Sequence, residues 1–208
     1  KIYISQRFSL EVLSIQSVYY RVKENANVEF VQVDLGGREN YVSYIGDLVD
    51  NNSNVNVNSI YFGKNEQKLD FNYVATQRGR ATNYDLAIKG ALADRVQKTC
   101  KVTIDFKRGS STSKGSEEEY VTLLSDDIKN VAVPILLCTE DDVEGIHAAS
   151  AGKIDENILF YIMSRGFSES EAKRLILESK FAETIDLIEN EEIRKRVYTT
   201  LSKKLSEV

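Results

Sequence analysis

The chain has 208 residues, of which 42% are hydrophobic and 28% charged, and its net charge is −5 at pH 7. These values describe a chain that can bury a core. They exclude a disordered tail and argue against a general nucleic-acid-binding protein. No uncharged apolar stretch approaches the roughly 20 residues of a membrane-spanning helix. We therefore expect neither a nucleic acid nor a membrane as a partner.

The counts of cysteine and histidine limit the chemistry of the chain. Cys100 and Cys138 are too few for a disulfide framework, and no signal peptide is recognisable, so we expect a cytoplasmic protein. His147 is the single histidine, which excludes a metal site built from several histidines of one chain. The chain begins at Lys1 rather than Met, and we expect it to be a piece of a longer protein.

Strand-like segments dominate the first 150 residues. In the segment 51–61, Val55 and Val57 alternate with asparagines, which is the pattern of a half-buried strand that follows an asparagine-rich turn. The segments 69–75 and 100–106 show the same alternation. The predicted strand centres are Val31, Ser43, Val57, Phe71, Ala87, Val102, Val121 and Ile135.

The spacing of these centres leaves two fold classes open. It is roughly 15 residues, longer than the 8–12 of a hairpin sandwich, and no helical pattern separates the strands. A solenoid in which coils stack as a parallel β-helix explains regular strands without helices. A β-sandwich is the alternative, and the periodicity does not decide between them.

The pattern becomes helical after residue 150. We therefore divide the chain into a β part, 1–150, and a helical part, 151–208. Asp155 is a plausible N-cap, Gly166 a plausible C-cap, and Ser168 with Glu171 forms a capping-box signature. The predicted helices are Glu156–Arg165, a segment from Ser168 through Lys180, a short one at Thr184–Ile188 and a last one at about Glu191–Leu205.

No enzyme motif is present: the chain lacks a phosphate-binding glycine loop, a nucleophile elbow and a zinc-protease motif. The acidic runs Glu117–Glu119 and Glu140–Asp142 are typical of a solvated surface. Cys100 and Cys138 can be soft ligands for iron or zinc, but their strand-like surroundings favour core packing. His147 lies where the two parts meet, and a neutral imidazole there can supply one ligand to a transition metal. A structural histidine is the alternative.

One block of sequence resembles a known family. The block consists of Val133–Cys138 (VPILLC), Asp141–Gly152 (DDVEGIHAASAG), Leu159–Tyr161 and Ser164–Gly166 in this order. It resembles the SufB/SufD family of the SUF iron–sulfur cluster assembly machinery, and SufD-like members most. Weaker landmarks of the family are Asp85–Leu92 and Leu123–Asp126.

The resemblance implies a fold and a function. The implied fold is mainly β, a right-handed parallel β-helix followed by a small C-terminal α-helical domain. The implied function is that of a non-catalytic subunit of an iron–sulfur cluster assembly complex. It would pair through its β-helix with a SufB-like subunit or a second copy, and dock a SufC-like ABC-type ATPase through its helices. No tightly bound cofactor is implied, although a transient iron–sulfur cluster or iron belongs to the complex.

The resemblance also implies site residues. His147 matches a family histidine near the subunit interface, and Glu144 is a neighbouring oxygen ligand for iron or a cluster. The residues expected to contact the ATPase are Phe160, Tyr161, Arg165, Gly166 and Phe167.

Two departures from the family pattern accompany these implications. Ala148 replaces a family glycine, so we expect an altered turn there, and a SufB-type cysteine is missing from the segment Glu117–Leu124. The alternative function is a self-associating β-helix protein with a structural or metal-binding role. A carbohydrate-active β-helix enzyme is a third hypothesis; it needs acidic groups in a cleft along one solenoid face, whereas we expect the acidic runs to lie near coil ends and loops.

Overall fold

The computed structural model describes residues 1–6, 9 and 11–206, and in this part of the chain eleven β-strands precede three α-helices. The strands are β1 (Ile2–Gln6), β2 (Leu13–Val22), β3 (Asn27–Asp34), β4 (Glu39–Leu48), β5 (Asn54–Gly63), β6 (Lys68–Gln77), β7 (Asn83–Leu92), β8 (Gln97–Phe106), β9 (Ser113–Leu123), β10 (Lys129–Cys138) and β11 (Val143–Gly152). The helices are α1 (Glu156–Met163), α2 (Glu169–Asp186) and α3 (Glu191–Leu205).

The strands wind into a parallel β-helix. The odd-numbered strands form one sheet in the order β1-β3-β5-β7-β9-β11, and the even-numbered strands form the other in the order β10-β8-β6-β4-β2. Neighbouring strands in both sheets run parallel. Side-chain hydrogen bonds join residues 27 to 31 positions apart, one coil to the next. The predicted solenoid is therefore confirmed, and the spacing of roughly 15 residues corresponds to half a coil.

Every second side chain of the central strands points inward, and these side chains fill the interior of the solenoid. Val55, Val57, Phe71 and Cys100, predicted to face one side of their strands, are all buried. Tyr73 stacks on Tyr44 with ring centroids 5.5 Å apart, an offset geometry that adds to the burial of the two rings. The sequence pattern thus correctly identified the inward face of the central strands.

Residues with a left-handed backbone conformation, that is, a positive φ, stack at the corners between the two sheets. Asn25, Asn52, Ala81 and Thr112 have φ values between 53° and 59° and occupy successive coils. The Nδ2 group of Asn52 donates to Oδ1 of Asn25 over 3.2 Å. Asparagine tolerates this backbone region well, which explains the asparagine-rich turn before β5.

Helices α2 and α3 cover the outer face of the odd-strand sheet. Leu177, Phe181 and Ile185 pack in one cluster with Val31 and Ile60. The predicted capping box is confirmed: the Ser168 hydroxyl accepts from the Glu171 N–H, and the Glu171 carboxylate accepts from the Ser168 N–H. In the part of the chain that the structure describes, no helix is long and apolar enough to cross a bilayer.

Several predicted boundaries are wrong. The separate helix at Thr184–Ile188 does not form, because α2 continues to Asp186, and the first helix ends at Met163 instead of Arg165. Strand β11 was not predicted, and it extends two residues past the expected change of character at residue 150. Its small residues, Ala148 to Gly152, carry little strand signal.

Candidate functional site

The last coil of the solenoid, formed by β10 and β11, has an unpaired edge. Within the described residues, β10 pairs with β8 and β11 pairs with β9, and neither has a partner on its other side. A free strand edge presents backbone N–H and C=O groups that another chain can pair with. Large apolar side chains are exposed along these two strands: Val131, Val133, Leu136, Leu137 and Ile146.

His147 lies in this last coil beside a buried carboxylate. It is a residue of β11 and stands in register with Glu117 of β9, one coil earlier. Its Nδ1 atom is 2.8 Å from Oε2 of Glu117, whose side chain is almost fully buried. Burial raises the pKa of the Glu117 carboxyl, and the imidazole of His147 partly offsets that rise.

The other ring nitrogen of His147 has no partner. Its Nε2 atom is screened from solvent and, among the described residues, nothing hydrogen-bonds to it. Buried polar atoms are nearly always satisfied by protein, by an ordered water or by a ligand, so this ring nitrogen is free to accept a bond from a group outside the protein. A lone pair on imidazole nitrogen is a good ligand for a transition metal.

A second buried ion pair lies deeper in the solenoid. Lys98 of β8 and Glu119 of β9 are each 1% exposed, and the Lys98 Nζ contacts Oε1 of Glu119. The Tyr61 hydroxyl also donates to Glu119 over 3.4 Å. The thiol of Cys100 is buried in the same region, and its pKa is raised by burial and by the charge of Glu119. Glu117 and Glu119 were interpreted as solvated surface residues, which is wrong because both face inward.

The structure separates Glu144 from His147. Positions 144 and 147 project from opposite faces of β11, and the Glu144 carboxylate pairs on the outside with Lys114 Nζ over 2.8 Å. Ala148 lies in the same strand, so the expected altered turn is wrong. Cys138 is exposed, whereas core packing was predicted for it.

The described part of one chain does not complete a metal site. No group of three or more histidine, cysteine, aspartate or glutamate side chains is arranged there to hold a metal ion. The described residues around His147 therefore do not form a complete coordination shell by themselves.

Helix α1 carries a second exposed apolar surface. Asp155 caps it, since its Oδ1 accepts from the N–H groups of Asn157 and Ile158 over 2.8 and 3.2 Å. None of the helix residues is buried, and Phe160 is 74% exposed. We call this the α1 surface, and its large apolar members are Ile158, Phe160, Tyr161, Met163 and the adjoining Phe167.

The residues predicted for ATPase contact lie on and beside this surface. The Arg165 guanidinium lies over the Tyr161 ring, 5.0 Å from its centroid, and donates to the Tyr161 hydroxyl over 2.9 Å. Gly166 has a φ of 97° and ends the helical turn, which turns the chain toward α2. The structure therefore brings Phe160, Tyr161, Arg165, Gly166 and Phe167 together at one end of the molecule's helical part.

A family model described as the SUF system FeS cluster assembly, SufBD core domain, matches residues 1–180. The chain belongs to the SufB/SufD family. The resemblance read from Val133–Gly166 is thus confirmed.

Curated relatives agree with this family. The iron–sulfur cluster assembly protein SufD of Bacillus subtilis is 29% identical over 147 residues, which are 71% of this chain and 34% of the relative. An iron–sulfur cluster assembly SufBD family protein of Pyrococcus horikoshii is 31% identical over 165 residues, 76% of this chain and 35% of the relative. The chain is SufD-like within the family and spans about a third of the length of these two relatives.

Sequence reasoning on this SufB/SufD family member missed Glu117 and Lys98. The signal for Glu117 was available, because Glu117, Glu119 and Val121 alternate with outward residues in β9. The run of three glutamates hid this alternation behind the appearance of a charged loop. Lys98 offered no such signal, since a lysine at an inward strand position is rare and its partner lies 21 residues further along the chain.

Proposed function

We propose that this SufB/SufD family member is a non-catalytic, cytoplasmic subunit of a SUF-type iron–sulfur cluster assembly complex. The observation that carries the proposal is the last coil, where an unpaired apolar edge coincides with a buried, unpartnered His147 Nε2. Family membership supplies the reaction, the assembly of iron–sulfur clusters. Iron or a nascent cluster is cargo in this proposal and not a resident cofactor.

The edge formed by β10 and β11 is the proposed pairing surface for a SufB-like subunit. Pairing would satisfy the free backbone groups and cover the apolar side chains Leu137 and Ile146, which are each 47% exposed. A second copy of this chain presents the same groups, so a homodimer is the alternative arrangement. In either case the ligands missing from the site come from the facing strands.

His147 is the proposed cargo ligand, through Nε2. Because this atom is screened from solvent, iron reaches it when the last coil shifts or the ring rotates. Movement driven by an attached ATPase provides such a shift. Glu144 stays a predicted oxygen ligand, and its use requires release of Lys114.

The α1 surface is the proposed docking surface for a SufC-like ABC-type ATPase. Exposed aromatic anchors beside an arginine are the typical composition of a binding hot spot. Phe160, Tyr161 and Arg165 supply these groups, and Gly166 and Phe167 complete the turn beside them.

Calorimetric titration of the chain with the SUF ATPase from the same genome tests the docking surface. We expect tight binding that Phe160→Ser weakens at least about 10-fold. Leu175→Ser in α2, another partly exposed apolar helix residue, is the matched control and leaves the affinity unchanged. Equal affinity of wild type and the Phe160 variant contradicts the proposed surface.

Sedimentation of the chain with a SufB-like subunit tests the pairing surface. Ile146→Lys introduces a charge at the edge of β11 and is expected to abolish the heterodimer. Ile15→Lys places the same charge on exposed β2, at the opposite edge of the described even-strand sheet, and pairing survives. Stable homodimers that exclude the SufB-like subunit favour the self-associating alternative. Heterodimer formation by the Ile146 variant refutes the edge of β10 and β11 as the pairing surface.

A further inference from the structure

The hydrogen bond at Nδ1 of His147 has a chemical consequence for the whole ring. A neutral imidazole carries one N–H, and an ionised carboxylate accepts hydrogen bonds without donating any. The contact between Nδ1 and Glu117 Oε2 is 2.8 Å long, and Glu117 is 1% exposed with its side chain fixed inside the solenoid. With Glu117 ionised and the ring neutral, this bond has the Nδ1–H group as its donor and leaves the lone pair on Nε2.

We propose that Glu117 is a positioning residue that fixes His147 in the Nδ1–H tautomer. In metal sites a carboxylate that accepts from the outer ring nitrogen orients the imidazole and raises its basicity as a ligand. Glu117 stands in that relation to His147, and the unpartnered Nε2 is the atom that the arrangement leaves free. The tautomer is inferred from the contact between Nδ1 and an ionised Glu117, whereas its use for iron rests on the proposed function.

The surroundings of Glu117 hold its carboxylate in place. It comes from the inward face of β9, two positions before Glu119, and the ammonium of Lys98 lies opposite on β8. Burial and the charge of Glu119 disfavour the ionised form of Glu117, whereas its contact with His147 and the positive charge of Lys98 favour it. Because Lys98 neutralises Glu119, Glu117 is left to interact with the imidazole of His147.

The chain's single histidine makes a direct measurement possible. Labelling histidine with ¹⁵N gives one ring, and protonated and unprotonated ring nitrogens resonate far apart in long-range ¹H–¹⁵N spectra. At about pH 9, where an imidazole side chain is neutral, we expect a protonated Nδ1 and an unprotonated Nε2 in the wild type. Glu117→Gln removes the charge and can also donate to Nδ1, so the Nε2–H tautomer gains population.

Glu118→Gln is the matched control, because Glu118 is the next residue of β9 and faces outward. We expect its spectrum to match that of the wild type. A protonated Nε2 in the wild type overturns the proposal, and so does an unchanged tautomer in the Glu117 variant. The wild-type spectrum by itself shows which ring nitrogen is protonated, so the proposal is tested even if the Glu117 variant fails to fold.

Iron binding separates this inference from the proposed function. In the complex with the SufB-like subunit, we expect Glu117→Gln to lower the affinity for Fe²⁺ about 10- to 100-fold, the usual effect of losing such a carboxylate. If the wild-type ring has the expected tautomer but the complex does not bind iron, the cargo role of His147 is refuted. The positioning role of Glu117 is retained. Iron binding that is equally tight in wild type and the Glu117 variant overturns the part of the inference that concerns the metal.

Discussion

The ring of Tyr61 lies against Gly90 of the neighbouring strand. The two residues are in register between β5 and β7, and a Cβ placed on Gly90 would approach ring atom Cζ closer than 3.0 Å. Tyr20 and Gly46 have the same relation between β2 and β4. Each glycine thus makes room inside the solenoid for the tyrosine of the adjacent coil.

The Tyr61 contact predicts that Gly90→Ala is destabilising. The added methyl group must displace a fully buried ring, and overpacking of this kind costs about 1–3 kcal/mol. Urea denaturation followed by circular dichroism measures the loss. Gly152→Ala is the control, because a Cβ at Gly152 meets no atom within 4 Å. Equal stability of the two variants is inconsistent with the packing described here.

The buried pair Lys98–Glu119 predicts an asymmetric response to mutation. Lys98→Met leaves the Glu119 carboxylate inside the core without a cation, which costs about 3–5 kcal/mol. Adding Glu119→Leu removes that isolated charge and recovers most of the free energy of unfolding. Lys89→Met, which breaks the exposed pair with Glu183, costs less than about 1 kcal/mol. If the Lys98 variant is no less stable than the Lys89 variant, the pair does not contribute as argued.

The buried carboxyl group of Asp34 is expected to make the stability of the folded chain depend on pH. Burial raises the pKa of its carboxyl from 3.8 to about 7. Between about pH 4 and pH 7 the folded chain keeps a proton that the unfolded chain has lost, so this residue makes stability fall as the pH rises. Asp34→Asn removes the effect and should stabilise the chain by up to about 4 kcal/mol above pH 7, with no gain near pH 4.

Unfolding midpoints recorded across this pH range test the Asp34 prediction. Asp70→Asn removes an exposed carboxylate of β6 and serves as the control. We expect the wild type and the Asp70 variant to lose stability in parallel through the window, while the Asp34 variant changes less. Parallel curves for all three proteins show that Asp34 does not titrate as described.

Replacing Ala81 by glycine is expected to stabilise a corner of the solenoid. Its φ of 53° lies in the left-handed region, where a Cβ costs about 1–2 kcal/mol. Ala81→Gly relieves this strain, and the extra freedom of glycine in the unfolded chain reduces the net gain to about 0.5–1 kcal/mol. Ala87→Gly in the middle of β7 lowers stability instead, so the two variants should shift thermal unfolding in opposite directions.

Alternation of side chains was sufficient to predict the interior of the central coils. Val57, Phe71 and Val102 follow a clear period of two, and each is buried. The same signal is weak in β11, because its alanines and glycine have no strong preference for a strand. His147 was therefore placed at a junction, although the structure places it inside a strand and one coil above Glu117.

The candidate site itself depends on contacts that sequence order does not reveal. Glu117 and His147 are 30 residues apart and meet because one coil of the solenoid separates them. If the length of one coil is known, the pairing of Glu117 with His147 can be predicted. The predicted strand centres gave only the spacing of half a coil. The residues predicted for ATPase contact lie within one short segment, so their proximity needs no knowledge of the coil length.

Helix α2 and the segment after it reach back across the solenoid to its first strand. The N–H of Glu189 donates to the Tyr3 hydroxyl over 3.2 Å, and Lys1 Nζ pairs with the Glu189 carboxylate over 2.9 Å. During synthesis the ribosome releases the strands long before these helices. Val31, Val33, Ile60 and Phe62 then stay uncovered until α2 and α3 have been synthesised, so the nascent chain exposes an apolar face that a chaperone is suited to protect.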